Sequence, residues 1–185
     1  MLYNIGDYKD HAKYIKLSLV KVEQLDAMIK AILTISRLEE SSNVEGVDIS
    51  SLVSQIIADN EILAQSRKLT IVNELKETKI ALSKLAAEQV LRQVIGNAIL
   101  YCREGGLIKV WADLVCLYVF DSCNKLSEAE IARSFELLPN ELVAHSSSLG
   151  LFIVKNILNK YNLDFAFTNV DNGMCFKIQL SQKRS

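Results

Sequence analysis

The chain has 185 residues, which suits one domain or one domain with an appendage. Half of the residues are apolar, so a sizeable core can be buried and a disordered chain is excluded. Lys and Arg number 21 against 22 Asp and Glu, a formal charge of -1, which lacks the basic footprint of a protein built around nucleic-acid backbone.

From Lys9 to Glu40 there is neither proline nor glycine, and apolar residues recur at steps of three and four: Ile15, Leu19, Val22, Leu25, Ile29 and Ile32, with Met28, Leu33 and Ile35 beside them. The spacing predicts an amphipathic helix of roughly 45 Å, an arm for a bundle or coiled coil. Ser41-Ser42-Asn43 and Gly46 break it. Asp48 offers an N-cap for a helix carrying Leu52, Val53, Ile56, Ile57 and Leu63 to about Ser66. The period then changes, and Leu69–Val72 and Lys79–Leu82 read as strands joined by the polar 73–78 segment. Ser83 caps a third helix running through Tyr101, with Leu85, Val90, Val94, Ile95, Ala98 and Ile99 as its buried side. After Gly105-Gly106, Leu107–Trp111 and Cys116–Asp121 form a hairpin with a short turn. A mostly polar loop to Ser147 carries a short helix at Ser127–Phe135, and Leu149–Tyr161 reads as a fourth substantial helix. Asp164–Val170 and Met174–Leu180 flank Asp171-Asn172-Gly173, a hairpin signal, and the basic tail Ser181–Ser185 is expected to fray. Two neighbouring hairpins argue against a doubly wound parallel sheet. The reading is an α+β fold, a two-layer sandwich with helices on one face of a mixed, mostly antiparallel sheet. Residues 1–45 form the arm and 46–185 the domain.

One stretch carries more than periodicity. Gln89 to Tyr101 resembles the N box of sensor histidine kinases, a helix with two polar amides four apart and an aromatic four further on. Residues four apart share a helix face, so Gln93, Asn97 and Tyr101 can face one pocket. Other pieces agree in order. Ile32–Glu39 resembles the end of the second helix of the family's dimerisation hairpin. Tyr118-Val119-Phe120-Asp121 resembles the strand delivering the adenine-reading aspartate, Phe135 stands at the F-box position, and Ser148–Lys155 resembles the second glycine box entering its helix. The resemblance covers about Lys9 to Leu180. It implies a Bergerat-type ATP-binding domain joined to part of a dimerisation hairpin. It implies that Asp121 reads adenine, Tyr101 stacks on the base, Gln93 or Asn97 holds Mg²⁺, and Leu149, Gly150 and Leu151 meet the phosphates of ATP.

The departures from the family pattern are as specific. The family's phosphoacceptor is a histidine followed by an acid and, shortly after, a proline. His11 is followed by Ala12-Lys13-Tyr14 and His145 lies in the loop, so neither has that setting. The expectation is a chain beginning after the acceptor, a fragment or a truncated product. The first glycine box, Asp-x-Gly-x-Gly in the family, reads Asp121-Ser122-Cys123-Asn124-Lys125, and Ser146 and Ser148 replace glycines of the second box. Glycine in such loops permits positive φ and close approach to a ligand, so side chains there narrow the pocket or stiffen it.

Each site residue has a plainer reading. Asp121 can simply end a strand; as a carboxylate it can also accept the exocyclic amine of adenine and reject guanine. Asn97 can be a buried amide satisfied by backbone, and Tyr101 a core-edge tyrosine. The serines before Leu149 can be helix caps, while free N–H groups at that helix start can hold phosphate. Trp111 reads as core. Cys102, Cys116, Cys123 and Cys175 have no metal-ligand spacing and read as reduced thiols of a cytoplasmic chain, or of the cytoplasmic part of a membrane-anchored sensor. No apolar run approaches the roughly 20 residues of a membrane span, and Met1–Asn4 lacks the features of a secretory leader. The functional expectation is the ATP-binding portion of a two-component histidine kinase, homodimeric through its arm and partnered by a response regulator. The alternative is a degenerate kinase-like scaffold that has lost nucleotide binding.

Overall fold

The computed structural model describes residues 46–136 and 147–182 and, from the arm, Tyr14, Ile15, Ser18, Leu19, Val22, Leu25, Ile29, Leu33 and Ser36. Each of these arm residues is helical, and Ile15, Leu19, Val22, Leu25, Ile29 and Leu33 are all exposed. Met28, Ile32 and Ile35 lie outside the described residues, as do His11, His145 and Ser146. From Val47 onward the described helices are α1 (Ser50–Asp59), α2 (Glu61–Ser66), α3 (Lys84–Tyr101), α4 (Glu128–Arg133) and α5 (Ser147–Lys160). The strands are β1 (Val47–Asp48), β2 (Thr70–Asn73), β3 (Lys79–Ile80), β4 (Leu107–Ala112), β5 (Cys116–Asp121), β6 (Phe165–Val170) and β7 (Gly173–Gln179).

Five strands make one sheet in the order β2-β4-β5-β7-β6, parallel between β2 and β4 and antiparallel elsewhere. The two strands expected on either side of the 73–78 segment both form, but in different sheets: β2 joins the main sheet and β3 pairs with β1. The predicted second helix is two helices. Asn60 ends α1 by donating its side-chain amide to the Ile56 carbonyl at 2.8 Å, and α2 begins after it. Asp48 stands one residue before the cap position, which is Ile49, yet its carboxylate accepts from the Ser50 N–H at 3.0 Å and the Ser50 hydroxyl at 2.7 Å.

Ser83 caps α3 as expected, accepting from the Ala86 N–H at 3.3 Å. The buried stripe of α3 includes Ala86, Ala87 and Leu91 but not Leu85, which is exposed. Leu85 falls in line with Glu88 and Gln89, three and four residues on, and so off the core side. The helices cover one face of the sheet. Val90, Ile95 and Ile99 of α3 and Val154, Ile157 and Leu158 of α5 meet Ile108, Val110, Leu117, Val119 and Ile178 of the strands in a continuous core. Phe135 anchors the chain after α4, its ring 5.5 Å from that of Phe165 and 6.3 Å from those of Phe167 and Phe176. Trp111 is not core. Strand alternation sends Ile108 and Val110 inward and Trp111 to the other face, where it stacks on Tyr118 at 5.1 Å. Among the described residues no helix is long and apolar enough to cross a membrane.

Candidate functional site

Asp121 is the last residue of β5. Period-two alternation puts Leu117, Val119 and Asp121 on the helix-covered face and Tyr118 and Phe120 on the other. The result is a carboxylate only 7% exposed, with Oδ1 buried and without a hydrogen-bond partner. Burial pushes its pKa from 3.8 up to about 6, against the opposing pull of the Cys123 thiol and backbone N–H. Burial, and after it the neighbouring Asp121 carboxylate, push the Cys123 thiol up to about 12, so it stays protonated. In the sheet register Asp121 stands between Ile108 and Met174, and Met174 pairs in turn with Asn169.

On α3, Gln93, Asn97 and Tyr101 follow one another at single-turn spacing, from half-buried to exposed at the helix end. The Asn97 side-chain nitrogen is buried and, like Asp121 Oδ1, unpartnered. Gly150 brings α5 against this face. A Cβ there would lie 2.4 Å from Gln93 Oε1 and 3.8 Å from Asn97 Nδ2, so the absence of a side chain is what permits the approach. Gln93, Asn97 and Gly150 are therefore neighbours in space. Leu149 and Leu151 flank Gly150 inside α5; Leu149 is partly buried and Leu151 buried in the core. Tyr101 lies two turns along α3 from Gln93, where Arg67 caps the helix end through the carbonyls of Ile99, Leu100 and Cys102. Asp121 Oδ1 is an acceptor and Asn97 Nδ2 a donor. Two desolvated groups of opposite sense without partners are costly in an empty domain and useful in one that binds a polar ligand. Gln93 and Asn97 also offer hard amide oxygens but no charge, which fits a Mg²⁺ ion arriving with anionic phosphates better than one bound beforehand.

Several residues frame Asp121 in ways the sequence does not announce. Ser122 is buried; its hydroxyl accepts from the Leu107 N–H at 2.7 Å, and its carbonyl accepts from Arg103 Nε at 2.8 Å. Gly106 makes room for that hydroxyl, since a Cβ there would sit 2.6 Å from it. On the other flank a Cβ at Gly173 would sit 2.0 Å from the Asp121 carbonyl. The sequence places Gly173 in a turn. The turn's left-handed residue is instead Asn172, at φ 66°, and the glycine serves the strand contact. Asn169 clasps Leu126, accepting from its N–H at 3.0 Å and donating to its carbonyl at 2.7 Å. In the sequence Gly105-Gly106 shows as a chain break and Gly173 as a hairpin-turn residue, while Asn169 carries no local signal.

No family model matches the chain. The sensor histidine protein kinase HK06 of Streptococcus pneumoniae is 34% identical over 186 residues, covering 97% of this chain and 42% of that protein. The chain thus spans less than half the length of the curated relatives it matches. The catalytic domain of histidine kinase ThkA superposes with a TM-score of 0.66 at 18% identity, over 76% of this chain and 96% of that one. ThkA in complex with the response regulator protein TrrA gives 0.68 at 19% identity, over 99% of this chain and 55% of that one. The fold is that of histidine kinase catalytic domains, and, with relatives along nearly its whole length, the chain belongs to the sensor histidine kinase family.

Proposed function

We propose that this chain is the ATP-binding portion of a two-component sensor histidine kinase, directing the γ-phosphoryl group of ATP to a histidine on a separate helical segment. The observation that carries the reading is the unpartnered, buried Oδ1 of Asp121 at the end of β5. Held as a carboxylate at neutral pH, it accepts the exocyclic amine of adenine and meets guanine, which has a carbonyl there, with repulsion. Asn97 donates its free N–H to a phosphate oxygen, Tyr101 offers a ring to the base, and the backbone around Leu149, Gly150 and Leu151 approaches the phosphates. Gln93 and Asn97 would hold Mg²⁺, which neutralises phosphate charge when bound. Phosphoryl transfer in this class depends on positioning and charge neutralisation, which is what these residues supply. The arm supports a homodimer, and a response regulator is the expected recipient, as TrrA is the partner of ThkA.

Calorimetric titration with ADP and with GDP, in the presence of Mg²⁺, tests the reading: ADP binds and GDP does not. A second reading, an interaction scaffold without nucleotide, is favoured by the side chains at the glycine-box positions and by the contact of Gln93 with α5. It prevails if millimolar ADP gives no heat.

A further inference from the structure

The loop from Ser122 to Leu126 holds no glycine, and it is fixed at both ends. At the β5 end Ser122 is tied to β4 through both the N–H and the carbonyl of Leu107, the latter accepting from the Ser122 N–H at 3.0 Å. Gly106 and Gly173 close in on the two flanks of Asp121-Ser122 because neither carries a Cβ. Cys123, the second residue after Asp121, acts electrostatically on its carboxylate, whose Oδ1 has no hydrogen-bond partner. At the far end the loop is held by one side chain, Asn169, whose amide pairs with both backbone groups of Leu126. Asn169 and Asp121 both pair with Met174, on opposite sides of it, so their side chains share a sheet face. Immediately after the clasp Ser127 starts α4 with a capping box, its hydroxyl accepting from the Glu130 N–H and the Glu130 carboxylate accepting from the Ser127 N–H.

We infer that Asn169 is a positioning residue for base recognition: by clasping Leu126 it holds the glycine-free loop in place before any nucleotide arrives, so that the free oxygen of Asp121 stays aimed at the ligand. The inference rests on the adenine-nucleotide reading above. A loop without glycine has fewer conformations to lose, and a side-chain clasp removes most of those that remain. The cost of ordering the loop is then met during folding rather than during binding. Asn169 touches no ligand in this scheme; it acts through the loop.

The experiment compares wild type, Asn169→Ala and Asn169→Asp by fluorescent mant-ADP and mant-GDP binding, amide hydrogen exchange and thermal unfolding. Asn169→Ala removes both bonds to Leu126. ADP affinity is expected to fall about tenfold, with a smaller ADP-to-GDP preference, faster exchange at Leu126, and a melting temperature within about 2 °C of wild type. Asn169→Asp keeps the acceptor for the Leu126 N–H and loses the donor, so its affinity lies between the two. Wild-type ADP affinity in Asn169→Ala overturns the inference, as does unchanged exchange at Leu126. A loss of affinity accompanied by a large fall in melting temperature also overturns it, by showing a structural role only. If wild type itself fails to bind mant-ADP, it is the nucleotide reading that falls, and the inference with it.

Discussion

At Asp121 the requirements of folding oppose those of the proposed adenine recognition. A carboxyl raised from 3.8 to about 6 binds a proton more readily in the folded chain than in the unfolded one. Its contribution therefore favours the fold below about pH 4 and is lost as pH rises through 6, leaving a cost on the order of 2–3 kcal/mol at neutral pH. Asp121→Asn removes the buried charge. The ligand-free variant is expected to melt at or above the wild-type temperature at pH 7, with the advantage gone at pH 4, while ADP affinity falls at least tenfold because an acceptor oxygen becomes a donor. Thermal melts at the two pH values and calorimetry measure both sides; a variant several degrees less stable at pH 7 would show the carboxylate to be structural. Gly173→Ala tests the neighbouring strand contact. A Cβ 2.0 Å from a backbone oxygen forces β7 away from β5, so a loss of about 2 kcal/mol or more is expected in urea unfolding. Wild-type stability would mean that the two strands separate there without cost.

At the scale of elements the exposed arm residues raise the next question. Ile15, Leu19, Val22, Leu25, Ile29 and Leu33 are each helical and roughly half to two-thirds exposed, and their spacing follows one helix face. A second copy of the chain packing on that face is expected to give a dimer, and Leu25→Asp with Ile29→Asp a monomer, in light scattering. A wild-type monomer at high concentration would count against the arm as an interface. The arm's stripe was legible because a 3.6-residue period repeats many times. So were the capped helix from Ser83 and both hairpins, whose signals are local. The break of α1 from α2 turned on one asparagine side chain bonding back to a carbonyl. The assignment of β2 and β3 to separate sheets turned on a parallel pairing with β4, which adjacent residues do not announce. The site divides in the same way. Gln93, Asn97 and Tyr101 share a face by helix geometry and Asp121 ends a patterned strand. Gly106, Gly173 and Asn169 matter only through neighbours distant in sequence.

For the molecule as a whole the decisive question is where a phosphoryl group can go. Transfer to histidine needs an imidazole in line with the γ-phosphate, and the chain holds two histidines, His11 and His145. Neither stands in the setting the family uses, a histidine followed by an acid and then a proline. Asp121, Asn97 and Gln93, by contrast, lie in the part proposed above to bind ATP rather than receive the phosphate, and nothing in that proposal requires donor and acceptor to share a chain. Incubation with γ-labelled ATP is therefore expected to leave this chain unlabelled and to label an added helical hairpin bearing the family's histidine motif. Asp121→Asn should abolish that labelling along with ADP binding. Acid-labile label on the chain itself, lost in His11→Ala, would move the acceptor onto the arm. Unlabelled hairpin in the presence of bound ATP would leave the chain a nucleotide-binding domain without transfer, and shift its role toward docking the response regulator.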